Sequence, residues 1–106
     1  MKNSLIVNAL KSLGVPVSWQ VYSGKLTPYI TFFCYNEQSE QFADDIEIVT
    51  GFYVQVDVWS KNDYSSLVDQ VKSNMEAAGF IRTTAQDLIE FDTLIFHKAM
   101  RFSYYN

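Results

Sequence analysis

The chain has 106 residues, 48% of them hydrophobic and 19% charged, which excludes a disordered or low-complexity protein and predicts a single domain over residues 1–106. Its eight Lys and Arg do not cluster, and with twelve Asp and Glu they give a net charge of −4, which disfavours tight binding to nucleic acid. No apolar run approaches the ~20 residues that cross a bilayer, and the one cysteine, which cannot form an internal disulfide, favours a reducing, cytosolic setting.

The aromatic content is high for a domain of this size. Two Trp, seven Tyr and eight Phe make up 16% of the chain, which is more large rings than one small core holds easily. Exposed aromatic side chains mark protein interfaces, and a small monomer normally dilutes its surface with more charge than this one carries. The composition therefore predicts a subunit of an assembly, without naming the assembly.

The first third of the chain predicts one helix and two strands. Residues 4–13 place apolar side chains three and four positions apart, as an amphipathic helix does, and Gly14 and Pro16 end it. Residues 17–22 alternate between apolar and polar, and residues 29–35 are rich in aromatic and β-branched side chains. The Gly and Pro between these two strands predict a hairpin.

Residues 36–48 break the strand pattern, because they carry five acidic residues, no Lys or Arg and few apolar side chains. They are predicted to form the longest loop of the chain. We hypothesise that this acidic loop is mobile in a free subunit and becomes ordered on assembly. Its candidate residues are Glu37, Glu40, Phe42, Asp44, Asp45 and Glu47. The carboxylates lack the Gly and the oxygen spacing of a calcium loop, so they predict a solvated turn and no metal site.

A strand and a helix follow. Residues 49–59 alternate between two faces, which predicts a half-buried strand with Phe52, Val54, Val56 and Val58 in the core. The next segment predicts a helix that Gly79 ends. Its apolar stripe consists of Tyr64, Leu67, Val68, Val71, Met75 and Ala78.

The last segment predicts two strands and completes the fold class. Residues 80–84 predict a short strand, residues 85–93 a turn, and residues 94–105 a long closing strand, because they alternate over their whole length. The third strand, second helix and fourth strand can form a right-handed crossover, which puts both helices on one face of the sheet. The predicted fold is α+β, a two-layer sandwich of a mixed or antiparallel sheet and two helices, in the order α-β-β-β-α-β-β.

No residue pattern indicates catalysis. His97 is the only histidine and has no Ser or Cys at a recognisable nucleophile spacing, so we interpret it as structural or exposed. Cys34 follows two Phe in a predicted strand and is interpreted as a small buried hydrophobe. The four Gly stand alone, which excludes a glycine-rich phosphate loop. We therefore predict no enzyme, no catalytic residue, no cofactor and no metal.

The outward face of the third strand is the most informative surface. A sheet covered by helices on one side leaves this row either in water or against another subunit, and large rigid rings suit an interface. Asp57 would need a partner if it were buried there. The interface hypothesis covers Tyr53, Gln55, Asp57, Trp59, Arg101 and Tyr105. The closing HKAMRFSYY segment also interleaves basic and aromatic residues, but Lys98 and Arg101 lie on opposite faces, which disfavours a nucleic-acid surface.

These segments together resemble the tail terminator, or tail-completion, proteins of long-tailed bacteriophages and their prophage relatives. The likeness is carried by YSGKLTPYITF, by VQVDVWSKNDYSSLVDQV, by the GF after the second helix and by the closing HKAMRFSYY. It covers nearly the whole chain. Its most specific part is VQVDVW at residues 54–59, running into the second helix, followed by the ending at residues 101–105.

The resemblance implies a non-enzymatic virion protein. It implies a small α+β subunit, made in the cytoplasm of a bacterial host, that forms a ring, commonly a hexamer, on the head-proximal end of the tail tube. There the ring would stop tube polymerisation and provide the surface that joins tail to head, with the tube protein and a head-completion protein as partners. DNA would only pass through the lumen, and an acidic chain with its acidic loop suits a channel that must not hold DNA.

Two alternatives remain open. A head-completion or neck protein of the same particle does a related job, and binding to tube ends rather than to the head portal separates the two. A small α+β ligand-binding or regulatory module is a different class. It predicts a concave apolar pocket between sheet and helices, whereas a terminator should have that space filled.

Overall fold

The structure, a computed structural model, describes residues 3–41 and 48–106. This part of the chain contains two α-helices and five strands, in the order that the sequence predicted. Their bounds are α1 Asn3–Leu10, continued by a 3-10 turn at Lys11–Leu13, then β1 Val17–Trp19, β2 Tyr29–Gln41, β3 Ile48–Ser60, α2 Ser65–Ala77, β4 Ile81–Glu90 and β5 Ile95–Tyr105.

The strands form one mixed sheet in the order β1-β2-β3-β5-β4. The β1 strand runs parallel to β2, and the pairs β2–β3, β3–β5 and β5–β4 are antiparallel. Because β3 and β4 both run antiparallel to β5, they are parallel to each other, and α2 makes the crossover between them. The predicted α+β class is confirmed.

The hydrophobic core lies between the helices and one face of the sheet. The helices contribute Ile6 and Leu10 from α1 and Val71 and Met75 from α2. The sheet contributes alternate residues of its central strands: Ile30, Phe32, Val54, Val56, Val58, Met100 and Phe102. In β3 the side chains of Val54, Val56 and Val58 are fully buried, as the alternation predicted. Burial of these side chains fixes which face of every strand the helices cover.

Local signals set the ends of both helices. Gly14 and Gly79 have φ of 73° and 99°, the left-handed conformation that glycine adopts at low cost, and each follows a helix as predicted. Before α2, the Asp63 carboxylate accepts hydrogen bonds from the Ser65 backbone N–H at 2.9 Å and from its hydroxyl at 2.7 Å. These two bonds lower the pKa of Asp63, since they favour the charged form.

The predicted hairpin between the first two strands is wrong. β1 has three residues and pairs in parallel with Ile30, Thr31 and Phe32 of β2. A parallel neighbour requires the chain to return along the strand before β2 begins, and residues 20–28 make that return. The alternation of residues 17–22 is therefore not all strand, and the Gly and Pro that follow belong to a connection rather than to a tight turn.

The predicted acidic loop is wrong at both of its ends. Glu37 and Glu40 lie in β2, which continues to Gln41, and β3 already begins at Ile48. Their polar side chains are compatible with a strand because this end of the hairpin is not covered by the helices, and the amide of Asn36 donates to Gln38 at 3.0 Å. The other candidate residues of the loop, Phe42, Asp44, Asp45 and Glu47, lie outside the described residues.

The predicted turn over residues 85–93 is also wrong, because β4 continues to Glu90. β4 lies at the edge of the sheet, and Ala85 is its only residue that is not exposed. A strand that is exposed on both faces has no burial to impose a period of two on its sequence. Backbone hydrogen bonds to β5 stabilise this strand, and no pattern in the sequence of residues 85–90 indicates that pairing.

Candidate functional site

The six residues of the interface hypothesis lie on one surface, the face of the sheet that the helices leave uncovered, here called the open face. Tyr53, Gln55, Asp57 and Trp59 alternate along β3 away from the core, and Arg101 is the direct partner of Gln55 on β5. Tyr105 lies on the same side, because its ring meets the Tyr53 ring edge-on at 6.3 Å. Alternation predicted the common face of the four residues of β3, and the structure places Arg101 and Tyr105 of β5 on the same face.

A buried acid–histidine pair lies at the centre of the open face. The Asp57 carboxylate is 2.6 Å from Nε2 of His97, and their side chains are only 5% and 12% exposed. The same carboxylate oxygen accepts a hydrogen bond from the Gln55 amide at 2.9 Å. Asp57 thus has the partners that a buried carboxylate needs, and both come from its own chain.

The sequence did not predict the pairing of His97 with Asp57. The two residues are diagonal neighbours across β3 and β5, since Asp57 is opposite Ala99 and Trp59 is opposite His97. The signal was present in the alternation of both strands. It could be used only once β5, rather than β4, was known to be the neighbour of β3.

Stacked rings extend this centre across three strands. The Trp59 ring lies parallel to the His97 ring at 3.7 Å and to the Tyr29 ring at 5.9 Å, and Tyr29 in turn contacts Tyr22 at 4.6 Å. The Trp59 indole N–H donates to the Thr31 hydroxyl at 2.9 Å. Tyr22, Tyr29 and Thr31 were not in the hypothesis, because their approach to Trp59 depends on the register of β2 against β3.

Arg101 links the centre to the other side of the open face. Its Nε donates to the Gln55 side-chain oxygen at 3.1 Å, and its guanidinium lies 4.5 Å from the centre of the Tyr35 ring. A continuous row of polar contacts therefore runs from Tyr35 through Arg101 and Gln55 to Asp57. Such a row fixes side-chain positions in advance, which lowers the entropy cost of binding a partner.

Tyr53 and Glu40 form a further contact between β3 and β2. The Tyr53 hydroxyl donates to the Glu40 carboxylate at 2.6 Å. This bond, and after it the bond from Gln38, holds the pKa of Glu40 below its ordinary value. The same bond raises the pKa of the Tyr53 phenol, since a hydroxyl that donates to a carboxylate releases its proton less readily.

Removing the Tyr53 hydroxyl should raise the pKa of Glu40. In Tyr53→Phe the carboxylate loses the donor that most favours its charged form and keeps the weaker contribution of Gln38, so the pKa should move partway to its ordinary value. Carbon-detected NMR titration of the Glu40 carboxyl measures this directly. Tyr104→Phe is the matched control, because it removes a hydroxyl beside Phe80 on the helical side. An unchanged Glu40 titration in Tyr53→Phe would show that the contact is not made in solution.

Within residues 3–41 and 48–106 there is no group of three or more His, Cys, Asp or Glu side chains that could hold a metal ion. Among the helices in the same part of the chain, none is long and apolar enough to span a bilayer. Cys34 is half-buried and packs against the core, close to the small hydrophobic role predicted for it.

Several aromatic rings face outward, as the composition predicted. Those with the largest exposed fractions lie at the margins of the sheet rather than at the centre of the open face. They are Phe91 at 81%, Trp19 at 56%, Phe96 at 42%, Tyr35 at 41% and Tyr105 at 38%. Exposed aromatic side chains are enriched at protein–protein interfaces.

The class that the fold and the open face define is a small two-layer α+β domain with one helical side and one aromatic, polar side. No protein-family model matches the sequence, and a search of curated proteins finds no relative. Among solved structures, the chain is similar to a chain in the virion of a native gene transfer agent (GTA) particle. The TM-score is 0.54 at 11% sequence identity, and the alignment covers 97% of this chain and 84% of the other. At this identity the likeness shows the fold.

Proposed function

We propose that this chain is a non-enzymatic structural subunit of a phage-like particle, and that within the particle it acts as the tail terminator. Copies of it would form a ring, a hexamer in the particle, on the head-proximal end of the tail tube. The ring would stop tube polymerisation and present the surface that joins tail to head. Its partners would be the tube protein and a head-completion protein, and DNA would only pass through the lumen.

The observation that carries this proposal is the extent of the structural likeness. The similar chain belongs to a virion particle, and the alignment with it extends over 97% of this chain. The resemblance of the sequence to tail terminators rests on different information, namely the residue patterns of the third strand and of the closing strand. The two lines of support agree on a particle subunit.

The packing of the core favours a structural role over a ligand-binding module. The space between sheet and helices is filled by large side chains, since Phe32, Met75, Met100 and Phe102 are each at most 1% exposed. A module that binds a small molecule there would need a concave pocket lined by apolar groups. The charge agrees with passage of DNA, because a net charge of −4 with scattered cations does not hold phosphates.

The direct test is a tube-capping assay with the purified protein and the tail-tube protein of its own particle. We expect the protein to shorten polymerising tubes in a dose-dependent way and to appear in electron micrographs as a ring at one end of each tube. Tubes polymerised with buffer alone give the reference length. Binding to the head portal with no effect on tube length would assign the chain to the neck instead, and binding to neither would contradict the proposal.

A further inference from the structure

Two edges of the sheet adjoin no other strand in the described part of the chain. β4 closes one side of the sheet and pairs only with β5. On the other side β1 covers β2 only at residues 30–32, so residues 33–41 of β2 have β3 on their inner side and no strand on their outer side. The backbone N–H and C=O groups of such edges are a template for pairing with a further strand.

Both edges are long and lack Pro and Lys. Folded proteins protect an edge with charged side chains, above all Lys, with Pro, with a β-bulge or by keeping the strand short, and here only acidic or Arg side chains and one irregularity in each strand are present. Residues 81–90 contain no Pro or Lys, and residues 33–41 contain no Pro, Lys or Arg. β4 also exposes Ile81, Leu88 and Ile89 at 56%, 43% and 37%. Each edge has one irregularity near its first residues, between Cys34 and Asn36 in β2 and between Arg82 and Thr84 in β4, and the strand that follows it is regular.

We propose that these two edges form the joint between copies in the ring, with β4 of one copy adding antiparallel to residues 33–41 of β2 in the next. This inference rests on the proposed function, because it names the surfaces from which the ring is built. The β2 and β4 strands run in opposite directions, so a copy placed beside the sheet by rotation presents its β4 antiparallel to β2. Two different edges make a heterologous joint, which is what a closed ring requires.

The geometry of the sheet also allows closure. Pairing through β5 and β3 puts Ile81 level with Asn36, so a joint along the full edge needs each copy to shift by about six residues, or about 20 Å, along the strands. Beyond β1, each copy contributes four strands (β2, β3, β5 and β4), or about 19 Å of sheet width. The strands would then tilt by about 45° from the ring axis, close to the tilt of closed barrels.

Two proline variants test the joint, one on each edge. The backbone N–H of Ser39 points away from β3 and that of Ile89 points away from β5, so Ser39→Pro and Ile89→Pro each remove a donor from the outer side of one edge. Ser39 and Ile89 are exposed, and neither belongs to the core. We expect each variant alone to be a folded monomer, because every ring joint needs one intact edge of each kind. An equimolar mixture should form a dimer, since each variant retains the edge that the other has lost.

Circular dichroism and thermal unfolding establish that each variant is folded before its mass is measured. A folded variant that still forms rings on its own, or a mixture of folded variants that stays monomeric, contradicts the proposed joint. Isologous pairing of two β4 edges would appear as dimers of Ser39→Pro alone, which also contradicts it.

Hydrogen exchange gives a second measurement, in which the ring is formed by the wild-type protein. Backbone amides of residues 33–41 should exchange about tenfold more slowly, or slower still, in the wild-type ring than in monomeric Ile89→Pro. Residues 81–90 should show the same protection relative to monomeric Ser39→Pro. A wild-type ring that leaves both segments unprotected overturns the joint and keeps the ring. A wild-type protein that forms no ring and caps no tube overturns the proposed function itself.

Discussion

Replacement of Phe102 by Ala should unfold much of the protein at moderate temperature. Phe102 is fully buried in β5, meets Phe80 edge-on at 6.4 Å and lies in the cluster that joins the sheet to the helices. Truncating a buried Phe costs about 3–5 kcal/mol, because the apolar contacts are lost and a cavity remains. For a domain of this size that loss lowers Tm by about 12 °C or more. Chemical and thermal denaturation followed by circular dichroism measure both quantities.

Phe91→Ala is the matched control for this substitution. Phe91 lies in the turn between β4 and β5 and is 81% exposed, so the same truncation removes almost no buried surface. We expect the free energy of unfolding to change by about 0.5 kcal/mol or less. Similar losses for the two variants would mean that the core is not arranged as described.

The second large effect is expected at Asp57. Asp57→Ala removes the acceptor of the Gln55 amide and the partner of His97, and leaves both groups half-buried without the bonds that they make now. Leaving buried polar groups unsatisfied should cost about 3 kcal/mol of the free energy of unfolding. Asp57→Asn keeps an oxygen at the same place and should cost clearly less. Urea denaturation of the three proteins at one pH measures the order.

Asp69→Ala controls for the loss of one carboxylate. Asp69 is exposed on α2, on the helical side of the molecule, and its removal should change the free energy of unfolding by about 0.5 kcal/mol or less. If Asp57→Ala were as stable as Asp69→Ala, the buried pair on the open face would contribute nothing to the fold. The stacked rings of His97, Trp59 and Tyr29 would then not be positioned by Asp57.

The elements that could be predicted from the sequence are those whose burial imposes a period. The valines of β3 alternate because one face of that strand is covered, and the stripe of α2 recurs every three to four residues because one side packs on the sheet. Residues 86–90 of β4 and residues 36–39 of β2 are exposed on both faces, so their sequences carry no such period and were predicted to be a turn and a loop. Backbone hydrogen bonds to a neighbouring strand stabilise these segments, and the sequence of one strand does not identify its neighbour.

The open face divides in the same way. Its four residues on β3 were predicted from alternation within that strand, whereas the position of Arg101 and Tyr105 beside them depends on the pairing of β5 with β3. The contacts of Asp57 with His97 and of Trp59 with Tyr29 and Thr31 depend on which strands are neighbours and on their register. Neither could be derived from one sequence, because β1 was expected to form a hairpin with β2 and no pattern distinguished β4 from β5 as the neighbour of β3.

The central claim is that this chain works as one of several copies. The most direct measurement is the mass of the purified protein over a range of concentrations, alone and with tail tubes, with electron microscopy of the same samples. We predict a closed ring of several copies, formed at the latest when tube ends are present. A single chain of 106 residues at every concentration, with tube ends bare, would contradict the account.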